Sequence, residues 1–160
     1  MFESSSSRPL PRLRRIFIRA PIYFITTCVA GRRPVLVEPG AAAVLIEEWE
    51  AAMKRHRWAV GRYVIMPDHV HFFCRPQAQA VSLSVFMQSW KSWSAKRILR
   101  GLGESGPLWQ PEFFDHLLRS ESSYLEKWEY VWQNPRRAGL AGESAEWPWQ
   151  GFIHDLEWGE

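Results

Sequence analysis

Apolar and polar residues along this chain follow two periods, and the points where the period changes mark its elements. Tyr23 to Val29 (YFITTCV) is β-branched and aromatic and stops before Gly31, with Arg32-Arg33-Pro34 beyond, which predicts a first strand. Gly40 opens AAAVLIEEWEAAMKR, with apolar residues at 44, 45, 49 and 53; this spacing lays one apolar stripe along a helix running to about Arg57. Trp58 to Met66 is strand-like again, and Pro67-Asp68 supplies a turn before His69 to Arg75, so the two runs predict a hairpin. Val81 to Arg100 holds neither Gly nor Pro and ends at Gly101 and Gly103, which predicts a second helix with a glycine stop. After a linker from Gly101 to Pro107, the apolar run Phe113 to Leu118 predicts a strand. Ser120 or Ser122 then caps a third helix that reaches about Gln133 and is ended by Asn134-Pro135. The tail from Gly142, with WPW at 147–149, is expected to pack on the domain as loops.

The order strand, helix, strand, strand, helix, strand, helix predicts an α+β fold, a split βαβ antiparallel sheet of the ferredoxin-like kind with helices on one face. Many activities share that architecture, so function has to be read from side chains. The chain has 160 residues, 46% of them hydrophobic, with 10 Trp and 9 Phe, enough for one core. We expect a flexible basic arm at 1–13, a catalytic domain at 14–141 and an acidic Trp-rich tail at 142–160. No apolar run approaches the roughly 18 residues of a membrane span. Cys28 and Cys74 fit neither a metal spacing nor a disulfide framework, which points to a reducing, cytoplasmic setting.

Charge is unevenly divided. Residues 1–100 carry 16 Lys and Arg against 6 Asp and Glu, whereas residues 101–160 carry 4 against 11. Between Glu50 and Glu104 the only acidic residue is Asp68. Such a block is an electrostatic footprint for a polyanion, although solvated charged faces are common. Arg12, Arg14, Arg15 and Arg19 near the N-terminus, and Lys91, Lys96, Arg97 and Arg100 on the second helix, are the candidates for contact with such a polyanion, DNA included. Trp90 and Trp93 interleave with the helix cations and are weaker candidates, because Trp at such spacing usually belongs to a core.

Two features carry candidate chemistry. His69-Val70-His71, in MPDHVHFF, falls on a predicted strand, where period-two alternation sends both imidazoles to one face and Val70 and Phe72 to the other. Two imidazoles on one face can share a divalent cation. In Tyr130-Val131-Trp132-Gln133-Asn134, a spacing of four puts a phenol and an amide oxygen one helical turn apart on one face. Amide oxygens suit Mg²⁺ and Mn²⁺. Together the four residues form a set in which His69, His71 and Asn134 hold a cation and Tyr130 attacks a phosphodiester. Tyr124, six residues before Tyr130, faces another side of the helix and is a poor second nucleophile.

MPDHVHFF resembles the His-hydrophobic-His signature of the single-tyrosine HUH transposases, and YVWQNPRRAGL resembles the end of their catalytic helix. With FITTCVAGRRPVL and LWQPEFFDHLLRS in the same order, the chain from about Arg14 to Trp149 is similar to the REP-associated, IS200-like tyrosine transposases. The resemblance implies dependence on Mg²⁺ or Mn²⁺ and nicking of single-stranded DNA beside a palindromic, REP-like hairpin through a 5′-phosphotyrosine, with strand rejoining to follow. It implies an enzyme of the bacterial nucleoid acting as monomer or homodimer, with His69 and His71 as ligands, Tyr130 as nucleophile and Asn134 at the third-ligand position. Insertion-sequence relatives usually carry Gln at that position, and here Gln133 stands one residue earlier. His116, in FFDHLLRS, is given no role. Two further readings stand beside this one: a non-catalytic hairpin DNA- or RNA-binding protein derived from a transposase, and a hydrolytic phosphodiesterase that keeps the metal and dispenses with the tyrosine.

Overall fold

The computed structural model describes residues 21–142 and 146–158, so the arm and the candidates Arg12, Arg14, Arg15 and Arg19 lie outside the described residues. Five strands form one sheet: β1 (Ile22–Cys28), β2 (Trp58–Ile65), β3 (His69–Pro76), β4 (Phe114–Leu118) and β5 (Gln150–Phe152). Their order is β4-β1-β3-β2-β5, with every neighbouring pair antiparallel. The α+β sheet expected from the pattern is therefore present, with β3 at its centre.

Helices α1 (Pro39–His56) and α2 (Leu83–Leu102) pack together on one face. Their Trp49 and Trp90 rings stack 5.6 Å apart and both meet Phe72 of β3. Glu48 of α1, almost fully buried, accepts hydrogen bonds from Arg55 at 2.8 Å and from Arg97 of α2 at 2.9 Å, an ion pair that joins the two helices. Ser82 caps α2 by accepting from the Val85 amide, and Gly103 ends it in the left-handed conformation, φ 67°, where a side chain would be strained.

Helices on one face describes α1 and α2; the third helix differs. α3 (Glu121–Trp132), capped by Ser120 through the Ser123 amide, lies across the opposite face, where Tyr124 and Trp128 meet Phe73. Alternation along β3 is the cause, because Phe72 and Phe73 must point to opposite sides. A short helix, α4 (Asn134–Arg137), follows at once.

The tail also departs from expectation. Instead of loops alone it contributes β5, which pairs Gly151 with Tyr63 and Gln150 with Val64 of β2. Trp147 donates its indole N–H to the Ile65 carbonyl at 2.9 Å, and Leu156 lies over Gly61, where an added Cβ would stand 2.6 Å from the leucine Cδ1. A three-residue strand with two Trp beside it leaves too short an alternation to read from sequence.

The tail's seat at Gly61 is testable. Gly61→Ala is expected to push Leu156 off β2 and lower stability by about 1–3 kcal/mol, the usual cost of overpacking. Urea denaturation followed by Trp fluorescence measures it; an unchanged midpoint would mean that Leu156 does not seal this glycine.

Candidate metal and nucleophile site

β3 sends His69, His71 and Phe73 to the α3 face of the sheet and Val70, Phe72 and Cys74 into the core beneath α1 and α2. The two imidazoles meet edge to face, ring centroids 4.8 Å apart. Each is fixed through Nδ1. His69 Nδ1 lies 2.8 Å from the carboxylate of Asp68, which must accept, so His69 donates there and keeps a lone pair on Nε2. His71 Nδ1 lies 2.8 Å from the Thr26 hydroxyl of β1, its cross-strand partner, and stacks on Phe24 with centroids 5.3 Å apart. When His71 donates to Thr26, both Nε2 atoms carry a lone pair. Tethering one ring nitrogen so that the other can ligate is how proteins orient metal-binding histidines.

Asp68 is held in turn by Arg32, whose Nε donates to it at 2.8 Å. Burial raises the carboxyl's pKa, but the hydrogen bonds from His69 and Arg32 outweigh it and keep Asp68 below its usual range. Arg32 sits in the short turn after β1 at φ 54° and also donates to Cys28 Sγ at 3.0 Å. For His71 the dominant influence is burial, reinforced by the positive surroundings of His69, Lys127, Arg137 and Arg32, and its pKa falls to about 3. A neutral imidazole is the form that binds metal, and at pH 7 His71 is in that form.

The end of α3 and the start of α4 deliver the remaining groups. Asn134 brings its side-chain amide to 3.5 Å from His69 Nε2. The placed atom is Nδ2, and a half-turn of the amide presents Oδ1 to the same spot. Gln133 instead donates to Glu129 at 3.2 Å, along its own helix. One turn before Asn134, Tyr130 is 64% exposed, with the Arg137 guanidinium 4.0 Å over its ring and bonded to its carbonyl. Tyr124 is buried against Phe73, as expected of a residue on another side of the helix. Among the described residues no group of three His, Cys, Asp or Glu side chains gathers, so the third donor on offer is the Asn134 amide, an oxygen suited to a hard cation.

The cations expected to meet DNA are distributed differently. α2 packs on the face of the sheet away from the imidazoles. Lys91 Nζ donates to the carbonyls of Gln110 at 2.6 Å and Pro111 at 3.1 Å, and Arg97 pairs with Glu47 and Glu48. Lys96, beside the half-exposed Trp93, and Arg100 are left at the surface, whereas Trp90 is core. Arg32, Lys127 and Arg137, which stand with the imidazoles, escaped the sequence reading. So did Thr26 and Asp68. Asp68 is adjacent to His69 in MPDH, where Pro67-Asp68 also signals the turn; Thr26 becomes visible only through strand register.

A family model described as "Transposase IS200 like" matches residues 20–133. The REP-associated tyrosine transposase of Escherichia coli K12 is 24% identical over 145 residues, covering 89% of this chain and 83% of that one. A solved structure of a REP-associated tyrosine transposase bound to a REP hairpin superposes with a TM-score of 0.65 at 19% identity, over 88% of this chain and 91% of that one. No helix among the described residues is long and apolar enough to cross a membrane.

The depressed pKa of His71 fixes a pH dependence. The unfolded chain takes up a proton there below about pH 6.5, while the folded chain resists until about pH 3. Stability conferred at neutral pH is therefore lost as pH falls through that window, by at most about 1.4 kcal/mol per pH unit from this group. Wild type and His71→Gln, compared by urea denaturation at pH 7, 5.5 and 4, should show the wild type losing more on acidification; parallel losses would mean that His71 protonates freely in the fold.

Proposed function

The chain belongs to the IS200-like transposase family, and on that footing we propose that it nicks and rejoins single-stranded DNA beside a palindromic hairpin, using Tyr130 as nucleophile. The observation that carries this reading is the meeting of the Asn134 amide with His69 Nε2, beside a second imidazole whose Nδ1 is likewise tethered. His69, His71 and Asn134 would hold a divalent cation, Mg²⁺ or Mn²⁺. When bound, it supplies Lewis-acid polarisation of the scissile phosphodiester.

The protein's own groups do the rest. Asp68 holds His69 in the tautomer that carries its proton on Nδ1, Thr26 orients the His71 ring, and the hydrogen bonds from His69 and Arg32 favour the ionised form of Asp68. Tyr130, exposed one turn before Asn134, is free to approach a phosphate; its oxygen bonds to phosphorus as the bond to the 3′-oxygen breaks. The phenolic proton departs and the leaving 3′-oxygen is protonated, giving a 5′-phosphotyrosine and a free 3′-hydroxyl. Arg137, stacked on the ring, keeps a permanent positive charge beside the group that loses its proton. The covalent bond retains the energy of the broken phosphodiester, so attack by a 3′-hydroxyl reseals a strand without ATP. The setting for such a reaction is the bacterial nucleoid.

Incubating the protein with a labelled single strand carrying a palindromic hairpin from its own genome, with and without Mn²⁺, should give a metal-dependent protein–DNA adduct on a denaturing gel. Tyr130→Phe and His69→Ala should abolish it. Cleavage that survives in Tyr130→Phe would point to hydrolysis, and tight binding with no cleavage across several hairpins would point to a non-catalytic binder. A second expectation concerns orientation: Thr26→Val, which leaves His71 Nδ1 without a partner, should weaken Mn²⁺ binding by about 10- to 100-fold in a calorimetric titration. Unchanged affinity would show that the Thr26 hydroxyl does not position the ligand.

A further inference from the structure

Strand register brings the exposed part of β4 into line with the imidazoles. Thr26 of β1 pairs with His71 of β3 on one side and with Phe114 of β4 on the other; Phe24 pairs in the same way with Phe73 and His116. Residues in one cross-strand row point to one face, so Phe114 and His116 stand on the face of His71. Two strand spacings of about 4.8 Å put Phe114 roughly 10 Å from His71 across the sheet.

Neither side chain is covered. Phe114 is 67% exposed and His116 is exposed, and β4 is an edge strand of the described sheet. Positions two apart on a strand are separated by about 6.8 Å. That is twice the roughly 3.4 Å stacking distance of nucleic-acid bases, the space one flat ring needs between two others. Cations share this face of the sheet: Lys127 Nζ lies 5.2 Å from the centre of the Phe24 ring, next to His116 in register, and Arg137, like Lys127, stands close enough to His71 to lower its pKa. Asp115, the carboxylate between the two rings in sequence, points to the other face by alternation.

Exposed rings bordered by cations fit a flat, uncharged ring attached to an anion. We propose that Phe114 and His116 form a nucleobase subsite that holds one unstacked base of the single strand beside the phosphate engaged by the site of His69, His71 and Tyr130. The inference rests on the proposed nicking reaction and deepens it. Stacking on an aromatic face tolerates any base, so the subsite sets the position of the strand more than its sequence. Phe114 is a positioning residue here, one that fixes which phosphate reaches Tyr130.

The test uses the full chain and hairpin oligonucleotides that carry the fluorescent base 2-aminopurine at successive positions around the cleavage site, with adduct formation followed in parallel. One position should be quenched on binding. In Phe114→Ala that quenching should disappear and affinity should fall about tenfold, in keeping with loss of one base–aromatic stack; Phe114→Tyr should restore both. An abasic nucleotide at that position should weaken wild type to the level of Phe114→Ala and leave Phe114→Ala unchanged. Wild-type affinity and quenching in both Phe114→Ala and His116→Ala, with the adduct still formed, would overturn the subsite and leave the nicking reaction standing. Phe114-dependent quenching without any adduct would uphold the subsite and remove the reaction instead.

Discussion

The whole arrangement hangs on the alternation of side chains along β3. It is the central strand of the sheet, and a strand so placed must satisfy two faces at once. Val70, Phe72 and Cys74 fill the core under α1 and α2, so His69, His71 and Phe73 are committed to the other side. A slip of one residue in pairing would bury both imidazoles and expose the core residues, so the hydrophobic effect that builds the fold also fixes which face carries the chemistry. α3 docks where Phe73 needs cover, and its far end thereby brings Asn134 to His69.

Electrostatics then refine what packing has placed. Arg32, Asp68 and His69 form a short chain of charged hydrogen bonds from the turn after β1 to the strand, and Thr26 does for His71 with a neutral hydroxyl what Asp68 does for His69. Burial and the nearby positive groups hold His71 neutral across the physiological range. Among the described residues Asp68 is the one carboxylate bonded to either imidazole. The local charge of the site is set by which residues the sheet and α3 bring together, and the net charge of the chain gives no guide to it.

Much of the fold was legible because it rests on local periodicity. The helix stripe of α1, the glycine stop of α2, the Ser120 cap and the hairpin turn at Pro67-Asp68 are each written within a few residues, and they recur in the structure within about two positions. β5 was hidden because three residues are too few to establish a period, and its pairing depends on β2 being already in place. The side of the sheet taken by α3 was hidden because an amphipathic helix records that it has an apolar face and not which apolar surface will meet it.

By itself the sequence determined four of the five strands, the three long helices, their order and the candidates His69, His71, Tyr130 and Asn134, since spacing on a strand or helix fixes which side chains share a face. Tertiary structure decided what stands around them. Thr26 lies 45 positions from His71, and Arg32 lies 36 from Asp68, distances in sequence that only strand register closes. It likewise withdrew Lys91 and Arg97 to loop carbonyls and helix carboxylates while bringing Lys127 and Arg137 beside the imidazoles. A charged side chain carries the same charge wherever it stands, so composition gives the number of cations; what each one touches is fixed by packing between elements remote in the chain.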